Sequence, residues 1–158
     1  MLGSVRIPAA LFRITKEVAR HLLRRPVVGI CAAARTRDGR YVLVRRGDTG
    51  GWALPGGTLE WGETFRSALA REIEEETGAK VLELGRLVGV YSDPERDARF
   101  HAVTIVVDAL VEFEHGKAEN PLEILDVRAF TEAELPRELS YRMTDMLDAA
   151  RAGRTEWE

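Results

Sequence analysis

The chain has 158 residues, 45% hydrophobic and 31% charged, with a formal net charge of −3. This excludes a disordered chain and gives no sign of a general nucleic-acid binder; one globular domain with a proper core is expected. No run reaches the roughly 18 apolar residues of a membrane span, and Arg13, Lys16, Glu17 and Arg20 interrupt any signal-peptide core.

Residues 1–25 differ from the rest, with six basic residues and one acidic, Glu17. Leu11, Ile14, Val18 and Leu22 recur at helical spacing. Pro8 suits a first turn, Arg24 and Arg25 suit a helix C-terminus, and Pro26 ends the run. This amphipathic helix would pack on its own domain, or pair with or swap onto a second subunit of a homodimer. A place on a membrane surface is the weakest of the three readings, and no membrane partner is expected.

Residues 26–158 read as one domain. Val27–Arg35 and Arg40–Arg46 flank an Asp38-Gly39 hairpin signal. Cys31 lies in the first of these apolar runs, where packing is expected. As a lone cysteine it forms no internal disulfide, which points to the cytoplasm. Leu54-Pro55-Gly56-Gly57 reads as a turn, and Thr64–Thr77 as a helix with Gly78 at its C-cap. Val81–Tyr91, His101–Phe113 and Ile124–Phe130 read as strands, and Ser140–Arg151 as a helix. The order predicts a sheet layered between helices.

On the helix from Phe65, azimuths of 100° per residue place Leu69 and Ile73 at roughly 40° and 80°, a core-facing stripe with Phe65 at its origin. Glu72, Glu75 and Glu76 fall at roughly 340°, 280° and 20°, bordering that stripe, while Glu74 points away. Carboxylates at such spacings repel, and partial burial worsens the conflict. A bound cation would relieve it, and an all-oxygen donor set suits Mg²⁺ or Mn²⁺. Gly56-Gly57 permits a tight turn that could aim the Gly56 carbonyl at the metal. Arg71 could pair with Glu63 and tie the loop to the helix.

Read together, Gly57, Glu63 and the run Arg71-Glu72-Ile73-Glu74-Glu75-Glu76-Thr77-Gly78-Ala79 resemble the complete Nudix box. Ala79 departs from it, standing where the family usually carries a larger aliphatic residue. The flanking elements resemble the Nudix fold over about residues 27–150, which implies an α+β class: an α/β/α sandwich with a mixed sheet, plus the extra N-terminal helix. The resemblance implies an enzyme that cleaves a nucleoside diphosphate linked to another group, using Mg²⁺ or Mn²⁺. By motif position Glu72, Glu75 and Glu76 become metal ligands, joined by the Gly56 carbonyl, while Gly57, Glu63 and Arg71 hold the shape. The base is implied to be a box glutamate or an acid of a later loop, Glu119 or Glu123.

The run Tyr91-Ser92-Asp93-Pro94-Glu95-Arg96-Asp97-Ala98-Arg99-Phe100-His101 is similar to a segment of ADP-ribose and nucleotide-sugar pyrophosphatases, with Ala98 in place of a proline. It implies a small-molecule nucleotide substrate. Tyr91 or Phe100 would stack on a base or ribose, and Arg99 would bind phosphate. Arg45 and Arg46 face opposite ways on a strand, so one of them would reach the phosphates, and Arg45 is favoured. A nucleoside triphosphate or RNA 5′-end substrate, and a non-catalytic sensor module, are the alternatives.

Overall fold

The computed structural model describes residues 25–158, so the expected N-terminal helix, with its dimerisation or swapping role, lies outside the described residues but for Arg25. Strand β1 (Val27–Thr36) leads through the Asp38-Gly39 turn into β2 (Tyr41–Arg46). Gly39 has φ +88°, and Thr36 Oγ1 binds both Asp38 and the Arg40 backbone, so local chemistry closes the turn. The two strands then diverge, pairing only at Arg35–Tyr41. Into the opened edge of β1 comes β4 (Gly56–Thr58), after β3 (Trp52–Ala53) has paired with β2.

On its other side β1 runs parallel to β6 (Ala102–Glu112), register Val27–Ala102 to Thr36–Val111. Strand β5 (Lys80–Tyr91) lies antiparallel to β6, with irregularities that bend it, and β8 (Glu156–Trp157) lies parallel to β5. Strand β7 (Ile124–Phe130) pairs with β2. The result is one mixed eight-stranded sheet.

Period-two alternation divides β1 and β2 between two cores. Ile30, Ala32, Ala34 and Val42 meet Ala68, Leu69 and Ile73 of helix α1 (Phe65–Thr77). Cys31, Tyr41 and Leu43 meet Met146 and Leu147 of helix α2 (Thr144–Arg151) on the opposite face. The architecture is thus the expected helix–sheet–helix sandwich. Cys31 is buried, its thiol pushed up to about 12 chiefly by that burial. Among the described residues no helix is long and apolar enough to cross a membrane.

Three expectations need correction, and one strand was not expected at all. Gly56 and Gly57 belong to a short strand rather than a free turn, because glycine lets β4 approach β1 more closely than any side chain allows. Phe65 is 42% exposed, and Ala68 takes the buried place. The C-terminal helix is broken: a 3-10 turn at Ser140–Arg142 precedes α2, because Tyr141 and Arg142 adopt positive φ. Strand β8 is too short to carry a periodic pattern and was not anticipated.

Candidate active site

Helix α1 is fixed at both ends. Thr64 and Ser67 form a reciprocal N-terminal cap, and Gly78, at φ +68°, donates its N–H to the Glu74 carbonyl. The glutamates between are therefore held at set azimuths. Glu74 is exposed, Glu72 and Glu75 are half-buried, and Glu76 is 7% exposed.

Two arginines hold these carboxylates. Arg71 forks onto Glu63, with Nε donating to Oε1 at 2.8 Å and Nη2 to Oε2 at 3.0 Å. Its Nη1 donates to Glu72 at 3.0 Å and Glu75 at 3.1 Å. One guanidinium thus ties the preceding loop to the helix and separates two like charges. The Arg71 hydrogen bonds hold the Glu63 carboxyl below its ordinary value. Arg46 on β2 donates to Glu76 at 3.0 Å and to Glu123 at 3.0 Å.

Glu76 also accepts the Gly56 N–H at 2.8 Å. Burial nevertheless wins and pushes its carboxyl up to about 7, with Gly56 and Arg46 opposing. Burial likewise raises Glu72, against Arg71.

The two glycines act differently. A Cβ on Gly56 would stand 2.2 Å from the Ile30 carbonyl oxygen, whereas on Gly57 it would stand 2.3 Å from Glu72 Oε1. Gly56 makes room for a strand; Gly57 makes room for a carboxylate. The Ala32 N–H to Pro55 and Leu59 N–H to Val28 bonds set the β1–β4 ladder, so antiparallel alternation leaves the Gly56 carbonyl outside it.

Among the described residues no three potential ligands already stand together as a metal cluster, since the carboxylates engage arginines instead. The donor chemistry nonetheless fits a hard divalent cation. Three carboxylates line one cleft, the most buried of them is the one whose charge is least well accommodated, and a backbone carbonyl is free of the ladder.

The cleft holds about 480 Å³. Its acidic wall is α1; its other wall carries Arg96, Arg99, Phe100, Tyr141, Met143 and Met146. Arg99 pairs with Asp97 at 2.7 Å and with Asp48, and its guanidinium lies over the rings of Phe100 and Tyr141. Glu123 is brought to the cleft; Glu119 is held nearby through its backbone N–H on the Glu75 carbonyl, 2.8 Å away. His101 donates from Nε2 to the Ser92 carbonyl, 2.9 Å away.

Two site expectations are corrected. Arg46, not Arg45, faces the cleft: strand alternation turns Arg45 outward, where it is exposed and donates to the Gly50 carbonyl at 3.1 Å. Tyr91 is 3% exposed in the α2-side core, which rules out stacking on a ligand there. Sequence reading also misses Tyr141 as a cleft residue, because helical periodicity places it inside a continuous helix. Its only sequence signal is an aromatic residue before the Met143–Met146 segment.

Residues 23–150 match the NUDIX domain family. The chain is similar to an ADP-ribose pyrophosphatase of Methanocaldococcus jannaschii, 45% identical over 73 residues, 44% of this chain and 43% of that protein. It is also similar to a MutT-like protein of Streptomyces ambofaciens, 45% identical over 69 residues, 44% of each chain. Each match spans less than half of the relative's length. Among solved structures, a MutT NUDIX hydrolase from Burkholderia pseudomallei has a TM-score of 0.68 and 31% identity, covering 80% of this chain and 98% of its own. The chain belongs to the NUDIX domain family.

Proposed function

We propose that the chain is a pyrophosphatase dependent on Mg²⁺ or Mn²⁺ that hydrolyses ADP-ribose or a nucleoside diphosphate sugar. Water would add across the P–O–P bridge, yielding a nucleoside monophosphate and a sugar phosphate. The observation that carries this reading is one cleft lined both by Glu72, Glu75 and Glu76 and by the cationic and aromatic side chains of Arg96, Arg99, Phe100 and Tyr141. The name of the M. jannaschii relative agrees with the proposal.

Glu72, Glu75, Glu76 and the Gly56 carbonyl are the groups that would hold the cation, which when bound neutralises phosphate charge and makes water more acidic. Arg71 and Glu63 keep those carboxylates aimed. Arg46, 3.0 Å from both Glu76 and Glu123, is poised to exchange a carboxylate for a phosphoryl oxygen. The proton from water would pass to a box glutamate or to Glu123, which stands at the cleft edge.

The test is a substrate panel with Mg²⁺ or Mn²⁺: ADP-ribose, several nucleoside diphosphate sugars, nucleoside triphosphates and 5′-triphosphate RNA. Release of a nucleoside monophosphate and a sugar phosphate is expected. Turnover confined to triphosphates would overturn the substrate assignment; nucleotide binding without turnover would favour a sensor module.

A further inference from the structure

Among the described residues only Tyr141 and Arg142 are non-glycines at positive φ, at 57° and 53°. L-residues are disfavoured in that region and persist there where surroundings hold them, often at functional sites. The surroundings here are specific. The Tyr141 hydroxyl lies 2.8 and 2.7 Å from the two Asp48 carboxylate oxygens. Ser140 and Thr49 join their hydroxyls at 2.8 Å, and the Leu139 N–H donates to Thr144 at 2.8 Å. The strain turns one ring into the cleft that also holds the glutamates.

Contacts connect that ring to the acidic end. Glu76 accepts from Arg46, Arg46 neighbours Asp48, and Asp48 binds Tyr141. On the ring lies the Arg99 guanidinium, 4.5 Å from its centroid, with Phe100 at 5.1 Å from the same guanidinium. Met143 and Met146 line the cleft beside them. A flat, partly cationic, partly apolar surface suits a planar heterocycle, which stacks on aromatic rings and on guanidinium planes alike.

We propose that Tyr141 is a nucleobase-binding residue of the cleft, its ring stacking with the substrate's base and its strained backbone holding the ring in place. This rests on the pyrophosphatase reading above. The rival is a structural latch, in which Tyr141 only ties the Leu139–Met143 segment to Asp48.

Titration calorimetry with AMP, ribose 5-phosphate and magnesium pyrophosphate separates the two. Tyr141→Phe deletes the Asp48 contact but keeps the ring, and is expected to bind AMP within about twofold of the unmodified chain. Tyr141→Gly keeps the left-handed backbone and deletes the ring, so AMP should bind about tenfold more weakly, the scale of a lost base stack. Tyr141→Ala should behave the same way where it folds. Ribose 5-phosphate and pyrophosphate should be unaffected throughout. Equal losses in the Phe and Gly variants, parallel losses for ribose 5-phosphate, or unchanged AMP affinity in the Gly variant would overturn the proposal. ADP-ribose turnover by the unmodified chain reports separately: its absence with this AMP pattern intact would sink the pyrophosphatase reading alone.

Discussion

The two walls of the cleft are built by opposite means. The acidic wall is one capped helix and the loop before it, locked by a single arginine, Arg71. The facing wall is gathered from Asp48, the Arg96–Phe100 loop, the Tyr141–Met146 segment and Glu158, joined by ion pairs such as Arg96 with Asp145 and Glu158. The first wall is rigid because its contacts are local to a regular element. The second combines the start of α2 with surface loops held by partly exposed pairs that each contribute little alone. Under the proposed function, groups that must be held to a fraction of an ångström sit on the first and recognition sits on the second.

The largest expected effect breaks the first wall chemically. Glu76→Gln is nearly isosteric and should leave the fold intact while lowering kcat for ADP-ribose about 10³-fold; steady-state kinetics with Mg²⁺ check it. Undiminished turnover would move the chemistry off α1.

The paired glycines sharpen the contrast within that wall. Gly56→Ala drives a Cβ onto the backbone of β1, which cannot retreat, and thermal unfolding should report a loss of about 2–3 kcal/mol. Gly57→Ala meets the Glu72 carboxylate first, a movable side-chain end. It should unfold nearly as the unmodified chain does but lose metal affinity, read by calorimetry. If the two variants lose stability alike, the division between frame and site fails.

On the second wall, Arg99→Ala should raise KM for ADP-ribose several-fold with little change in kcat, and alter stability by less than about 1 kcal/mol. A fall in kcat with KM unchanged would assign Arg99 to the chemistry instead.

The smallest effect concerns pH. Hydrogen bonds from Arg96, and then from the Asp93 and Ser92 backbone, hold the Glu158 carboxyl down from 4.5 to about 2. The folded chain therefore binds this proton more weakly than the unfolded one, so the contribution is present above about 4.5 and is lost as pH falls towards 2. Glu158→Gln should lower Tm slightly at pH 6, with the gap closing by pH 2. A gap that is equal at both ends would show that the carboxylate charge is not what fastens the loop.

Much of the acidic wall was legible in the sequence, because helical periodicity and capping act over a few residues. Thr64, Gly78 and the outward Glu74 stand where local rules put them. The facing wall was not, since its partners are separated along the chain by tens of residues. Nothing near Tyr141 indicates that Asp48 will stabilise a left-handed conformation there, and nothing near Tyr91 tells a buried strand position from a cleft position. Arg45 and Arg46 show the limit sharply: alternation says that one faces inward, but only pairing with β3 and β7 decides which.

By itself the sequence determined the two helix-and-strand periodicities, the hairpin, and a glutamate helix that crowds three carboxylates beside its buried stripe. These follow from interactions within a turn or two of chain. Tertiary structure decided that β1 and β2 splay to admit β4, that Arg46 meets Glu76, and that four separate segments converge to face α1. Those outcomes depend on long-range sheet pairing and on charges that meet only once the chain has folded.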